Sequence, residues 1–192
     1  MYQDESADEV LRKIGRNLFI IQQVESLLKL MVSQSSLTGF LTQLARAQKL
    51  NTDRVHKQTM GQLVGQYLEL IDPSKAITEL ADISHIATKE IVFSSQTRIV
   101  GSPNYYLQKQ TDLAKMVEDR NNLIHHLLPR LNLQSKESCQ EVGQQLDDQR
   151  AGLVAQLEEL KAQLLALAEN RQVMCDFLAS DQAKEMFERV EK

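Results

Sequence analysis

The chain has 192 residues, 42% of them hydrophobic and 25% charged, with a formal net charge of −4. That length is one domain's worth, enough to bury a core without a metal or disulfide staple. With 7 Gly, 3 Pro, no Trp and 5% aromatics, it excludes collagen-like repeats and low-complexity disorder and argues against a large β-sandwich.

In chain order, the first helix is expected over 7–32, where Val10, Ile14, Phe19, Ile21, Val24, Leu27, Leu28 and Met31 recur at mixed three- and four-residue steps behind the acidic Asp8 and Glu9. A shorter helix is expected at 36–48, set off by the serines at 33–36. Residues 59–71 read as a third helix ended by Pro73, and 74–88 as a fourth beginning at Ser74. The β-favouring Ile91, Val92, Phe93 and Thr97 to Val100 flank Ser94–Gln96, which predicts a small hairpin near 89–103. Residues 104–128 return to helical periodicity, with Pro129 as the stop.

The longest helix is expected over 135–170. Cys139, Leu146, Leu153, Leu157, Leu160, Leu164 and Leu167 keep a heptad-like spacing there, interrupted by Gly143 and Arg150. That spacing suits packing along a helix of the same chain better than a dimeric coiled coil. A last helix at about 174–190 lies within an acidic C-terminal stretch, 171–192. The expectation is therefore an all-α antiparallel helical bundle, one domain over 1–192 with its core in roughly 7–170, and a hairpin let into one connection.

Charge and cysteine set the setting. Residues 1–60 carry 8 Lys/Arg against 6 Asp/Glu, whereas 132–192 carry 7 against 12. The basic cluster Arg46, Lys49, Arg54, His56 and Lys57 reads first as a solvated helix face and second as a phosphate-tracking patch. No run of about 18 apolar residues marks a membrane span. The acidic start Met-Tyr-Gln-Asp-Glu lacks the basic-then-apolar order of a secretory signal. The expected compartment is the cytoplasm, with Cys139 and Cys175 reduced. No Cys/His spacing suggests zinc, no other metal is implied, and no cofactor is expected.

One segment carries chemistry: Glu118-Asp119-Arg120-Asn121-Asn122-Leu123-Ile124-His125-His126. Arg120 is the one arginine with a histidine four to six residues after it. On an α-helix Asn121 stacks with His125, and Asn122 with His126. Leu113, Met116, Val117, Leu123, Ile124 and Leu127 form an apolar face opposite. Histidine moves protons near neutral pH, arginine meets the developing charge of a phosphate, and asparagine orients either. RNA brings its own nucleophile, the 2′-hydroxyl, so the group suits metal-free phosphodiester cleavage. One histidine is lean for that work. Two copies of the helix across a two-fold axis would supply two. Elsewhere His85, His56, the tyrosine pair Tyr105 and Tyr106, Met60, Met116 and Met174, and the serine pairs read as packing, surface or loop residues.

Arg120-Asn121-x-x-x-His125 resembles the Arg-x4–6-His motif of HEPN domains in its Arg-Asn-x3-His form. Thr59-Met60-Gly61-Gln62-Leu63 also resembles a Thr-Leu-Gly-x-Leu segment of some HEPN branches. The resemblance implies a HEPN-like bundle and a metal-independent endoribonuclease acting on RNA as a homodimer. Arg120 and His125 would then be catalytic, Asn121 supporting, and His126 an alternative to His125. It also implies a toxin or antiviral defence role. The second reading is a non-catalytic module holding a partner protein such as an antitoxin or a nucleotidyltransferase. In one toxin branch a tyrosine stands two residues after the histidine; here that residue is Leu127.

Overall fold

Asp8 and Glu9 favour the positive end of the first helix, α1 (Ala7–Gln34), and Val10, Ile14, Ile21, Val24, Leu28 and Met31 form its buried stripe. The structure, a computed structural model, describes residues 7–75, 92–183 and 185. After α1 come β1 (Ser36–Phe40), one 3-10 turn at Leu41–Gln43, and α2 (Leu44–His56). The helix expected at 36–48 is corrected here: its first five residues are extended, and the helix starts at Leu44. The cause lies far away in sequence. β1 pairs antiparallel with β2 (Val92–Gln96), Ser36 opposite Gln96 and Phe40 opposite Val92. The Thr38 and Ser94 hydroxyls meet across the ribbon at 2.8 Å. A small antiparallel ribbon therefore exists, with one strand inside the predicted 89–103. Its partner is β1 rather than the residues that follow. Residues 97–102 carry no strand, although Thr97 N–H donates to the Ser35 carbonyl at 2.7 Å.

Helix α3 (Met60–Ile71) starts where Thr59 and Gln62 close a capping box, with Thr59 N–H donating to Gln62 Oε1 at 2.9 Å. The Thr59-Met60-Gly61-Gln62-Leu63 segment is thus a helix start that buries Met60, Leu63, Val64, Tyr67 and Ile71. The helix expected at 74–88 lies, beyond Lys75, outside the described residues, as does His85. Helix α4 (Pro103–Asn121) is capped by Ser102 with proline at its first position. A π-turn, Asn122–His126, follows, then the short α5 (Leu127–Arg130). Pro129 does not stop the helix where predicted: it sits inside α5, and the chain turns out after Arg130.

Helix α6 (Lys136–Ala179) is capped by Ser135 and runs unbroken through the boundary expected near 170–174. No glycine or proline lies there to break it, and Arg171 Nη1 donates to Gln34 Oε1 at 2.8 Å, tying it to the end of α1. Leu146, Leu153, Leu157, Leu160 and Leu167 are buried along it, while Arg150 is exposed. Half-buried Gln149 stands at that level and accepts from Asn17 Nδ2 at 2.8 Å.

Paired residues fix the directions. Lys13 meets Asp147, Asn17 meets Gln149 and Gln34 meets Arg171, so α1 and α6 run parallel. Tyr105 meets Glu159 and Gln163, while Lys109 and the next turn's Asp112 meet Gln156, so α4 runs antiparallel to α6. The π-turn consequently lies at the pole where α1 and α6 begin, and the β-ribbon at the other. The fold is an all-α helical bundle with a small β-ribbon. No helix of the described residues is long and apolar enough to cross a membrane.

Two polar layers hold α6. In the first, the buried Lys13 ammonium reaches Asp147 Oδ2 at 2.6 Å and Arg16 Nη2 reaches Oδ1 at 2.9 Å. The hydrogen bond from Lys13, helped by Arg16, holds the Asp147 carboxyl below the usual aspartate value. Fully buried Asn17 also donates to the Leu146 carbonyl at 2.8 Å. In the second, Lys109 pairs with Glu159 and donates to Gln156 Oε1 at 2.7 Å. Tyr105 Oη donates to Glu159 Oε1 at 2.6 Å, and Tyr67 Oη to Gln163 Oε1 at 2.7 Å. Burial raises both phenols above their ordinary value, with Glu159 adding to the rise at Tyr105.

Candidate functional site

Leu113, Met116, Leu123 and Leu127 are buried and anchor the last turns of α4 and the π-turn against the bundle. Val117 packs against that core from its edge, whereas Ile124, expected on the same apolar face, is 42% exposed. With one stripe anchored, the polar residues between are turned out: Arg120 is half-buried, and Asn121, Asn122, His125 and His126 are exposed.

The expected four-residue stacking is altered by the backbone. Leu127 N–H donates to the Asn122 carbonyl, a five-residue span, so the helix is one residue wider here. His125 is therefore no longer stacked on Asn121 alone: positions four and five apart lie about equally near one row in such a turn, which puts it over the space between Arg120 and Asn121. The side-chain bonds bypass both imidazoles. Arg120 Nη1 donates to Asn121 Oδ1 at 3.0 Å, and Asn122 Oδ1 accepts from Arg130 Nη2 at 2.5 Å. Neither asparagine holds an imidazole, and no hydrogen bond joins Arg120 to His125. The two imidazoles meet each other edge to face, centroids 6.3 Å apart.

Arg130 is the member of this group that sequence reasoning passed over. Its Nε donates to the His126 carbonyl at 2.9 Å. The available signal was Pro129, four residues after His125. Among the described residues, neither Arg120 nor Arg130 forms an ion pair, and neither imidazole makes a hydrogen bond. The neighbouring carboxylate of Asp119 is taken by Lys115 at 2.7 Å.

The ground beside Arg120 is acidic. Asp112, Lys115, Met116, Asp119, Asp148 and Gln156 line a cleft of about 240 Å³ between α4 and α6. No group of three or more His, Cys, Asp or Glu among the described residues is placed to hold a metal ion. The basic cluster of α2 is solvent-facing: Arg46, Lys49, Arg54, His56 and Lys57 are all exposed. Arg54 lies at the ribbon pole with Lys75 and Arg98, around a second cleft of about 260 Å³. There Arg98 Nη2 donates to the Glu69 and Asp72 carbonyls, each at 3.1 Å, which closes the end of α3. The predicted catalytic group and the predicted phosphate patch thus do not meet within one chain. Tyr105, half-buried and bonded to Glu159, packs as expected and offers no free ring for stacking. Cys139 is a buried thiol and Cys175 an exposed one.

No family model matches this chain, and neither the curated proteins nor the solved structures yield a match to it.

Proposed function

We propose that this protein is a metal-independent endoribonuclease of the HEPN type that works in the cytoplasm as a homodimer, in a toxin or phage-defence role. One observation carries the reading. In a chain of net charge −4, two guanidiniums and two imidazoles stand within eleven residues at one pole without a carboxylate partner, and both imidazoles face solvent. Charge left unneutralised at a surface is available to a phosphodiester.

In this mechanism His125 takes the proton of a ribose 2′-hydroxyl, and the 2′-oxygen attacks the adjacent phosphorus. Arg120 neutralises the equatorial oxygens as charge builds there. The P–O5′ bond breaks, the leaving 5′-oxygen receives a proton from the second copy's imidazole, and the products are a 2′,3′-cyclic phosphate and a 5′-hydroxyl. Asn121, already bonded to Arg120, keeps that guanidinium aimed. His126 is the alternative base. Two-fold pairing at this pole also supplies the basic surroundings that the acidic cleft beside Arg120 denies a single chain.

The test is cleavage of RNA in EDTA by the wild type and by Arg120→Ala, His125→Ala and His126→Ala, with the mass of the protein in solution measured alongside. Cleavage lost in Arg120→Ala and in one histidine variant supports the reading and names the base. Cleavage that survives both histidine variants, or that requires added Mg²⁺, overturns it.

A second reading has its own observation. Leu165, Val173 and Phe177 stand 43–68% exposed along α6, and the cleft beside Arg120 is acidic. A non-catalytic module that holds a partner protein, such as an antitoxin or a nucleotidyltransferase, would use those surfaces. Expression in cells separates the two: the nuclease slows growth and its His125→Ala form does not, whereas the module gives equal growth with both.

A further inference from the structure

The wide turn has a cause and a fastener. Proline has no N–H to give, and its ring crowds the carbonyl four residues earlier. Pro129 therefore collides with a regular helix at the carbonyl of His125. The chain yields by widening over Asn122–His126, and His126 takes φ −123°, ψ −22°, outside the α-helical values. A turn so widened has lost a regular bond and needs another tie. Arg130, the next residue, supplies it with one guanidinium. Its Nη2 donates to the side chain of the first residue of the turn, Asn122 Oδ1, at 2.5 Å. Its Nε donates to the carbonyl of the last, His126, at 2.9 Å. Asn122, His126 and Arg130 are all exposed, while Leu123 and Leu127 hold the segment to the core without them. The tie is therefore spent on the shape of the turn and not on the bundle.

We infer that Arg130 is a positioning residue: it clips the ends of the π-turn together and so fixes His125 beside Arg120. The catalytic consequence rests on the ribonuclease reading; the clip itself does not. Only a flat fork with donors on two sides can reach both acceptors, so lysine, which brings the charge as a single point, cannot replace it.

The experiment uses the isotope-labelled full chain as wild type, Arg130→Ala and Arg130→Lys. Amide exchange at Leu127, the nuclear Overhauser contact between the His125 ring and the Arg120 side chain, circular dichroism, and kcat and KM on a short oligoribonucleotide in EDTA are measured for each. Both variants should keep the wild-type helical spectrum. Both should raise Leu127 exchange about ten-fold, in line with loss of a hydrogen bond, and alter the Overhauser contacts of the His125 ring with the Arg120 side chain. In both, kcat should fall about ten-fold with KM little changed. Unchanged exchange and contact overturn the clip. Full activity in Arg130→Lys, or a rise in KM alone, shows a charge that attracts RNA and overturns the positioning role. A wild type that leaves RNA intact overturns the ribonuclease reading, and the exchange and the contact then decide the clip by themselves.

Discussion

The seam between α1 and α6 and the turn at 120–130 use the same side-chain types to opposite ends. The seam has Lys13, Arg16 and Asn17; the turn has Arg120, Asn121, Asn122 and Arg130. In the seam both cations close on the carboxylate of Asp147, with Lys13 and Asn17 out of water. In the turn the guanidiniums find only amide oxygens and one backbone carbonyl, at the surface. The difference is the supply of carboxylate. Where α6 offers one, positive charge is consumed in holding helices together. Where Asp119 is already bound to Lys115, positive charge stays available for a ligand. An arginine's type says little about its work until its anion is located.

That contrast can be broken first at its sharpest point. His125→Ala should lower RNA cleavage by about 10²- to 10⁴-fold, the range of a lost proton-transfer group, and leave the urea unfolding midpoint unmoved because the side chain is exposed. Asn17→Ala should do the reverse. It removes the fully buried amide that ties α1 to the Leu146 carbonyl and Gln149 Oε1 of α6, costing about 1–3 kcal/mol by denaturant titration, with cleavage unchanged. Asp147→Asn should cost less, about 1 kcal/mol, since that carboxylate is 42% exposed and water replaces part of what it gives.

The pH dependence of the same residue has a fixed sign. The folded-state value of Asp147 lies below its unfolded one. Its contribution is therefore full above about pH 4 and is lost as pH falls through the lowered value. Asp147→Asn should flatten that acid limb of stability and leave neutral pH with a constant offset. The smallest effect is expected at α3. Thr59→Ala removes a long capping bond, 3.4 Å from Gln62 N–H, and should cost about 0.5–1 kcal/mol.

The sequence made α1 and α3 plain because their signals are local: an acidic first turn with a periodic stripe, and a helical run closed by Pro73. Ser36–Phe40 was not plain. Its strand partner stands 56 residues away, and no window around Thr38 contains that fact. The continuity of α6 was hidden by the polar Glu169-Asn170-Arg171-Gln172, which reads as a boundary until Gln34 is seen to receive Arg171. At the site, Arg120 and His125 could be picked from spacing, and so could the apolar anchors Leu123 and Leu127. The shape of the turn between them could not, because a proline four residues downstream reset the helix and an arginine beyond it ties the widened turn.

Because α1 and α6 run side by side in the same direction, the polypeptide enters this bundle at one pole and leaves near the other. From Ala7 to Gln34 α1 rises about 40 Å, and α6 continues past Arg171 to Ala179, so Ala7 and Ala179 stand roughly 50 Å apart. A circular permutant would need a bridge of roughly 16 residues, at about 3.3 Å each, to join those two residues. A bulky fusion placed ahead of α1 would crowd the pole that carries Arg120 and His125, whereas the same cargo placed after α6 would leave that pole clear.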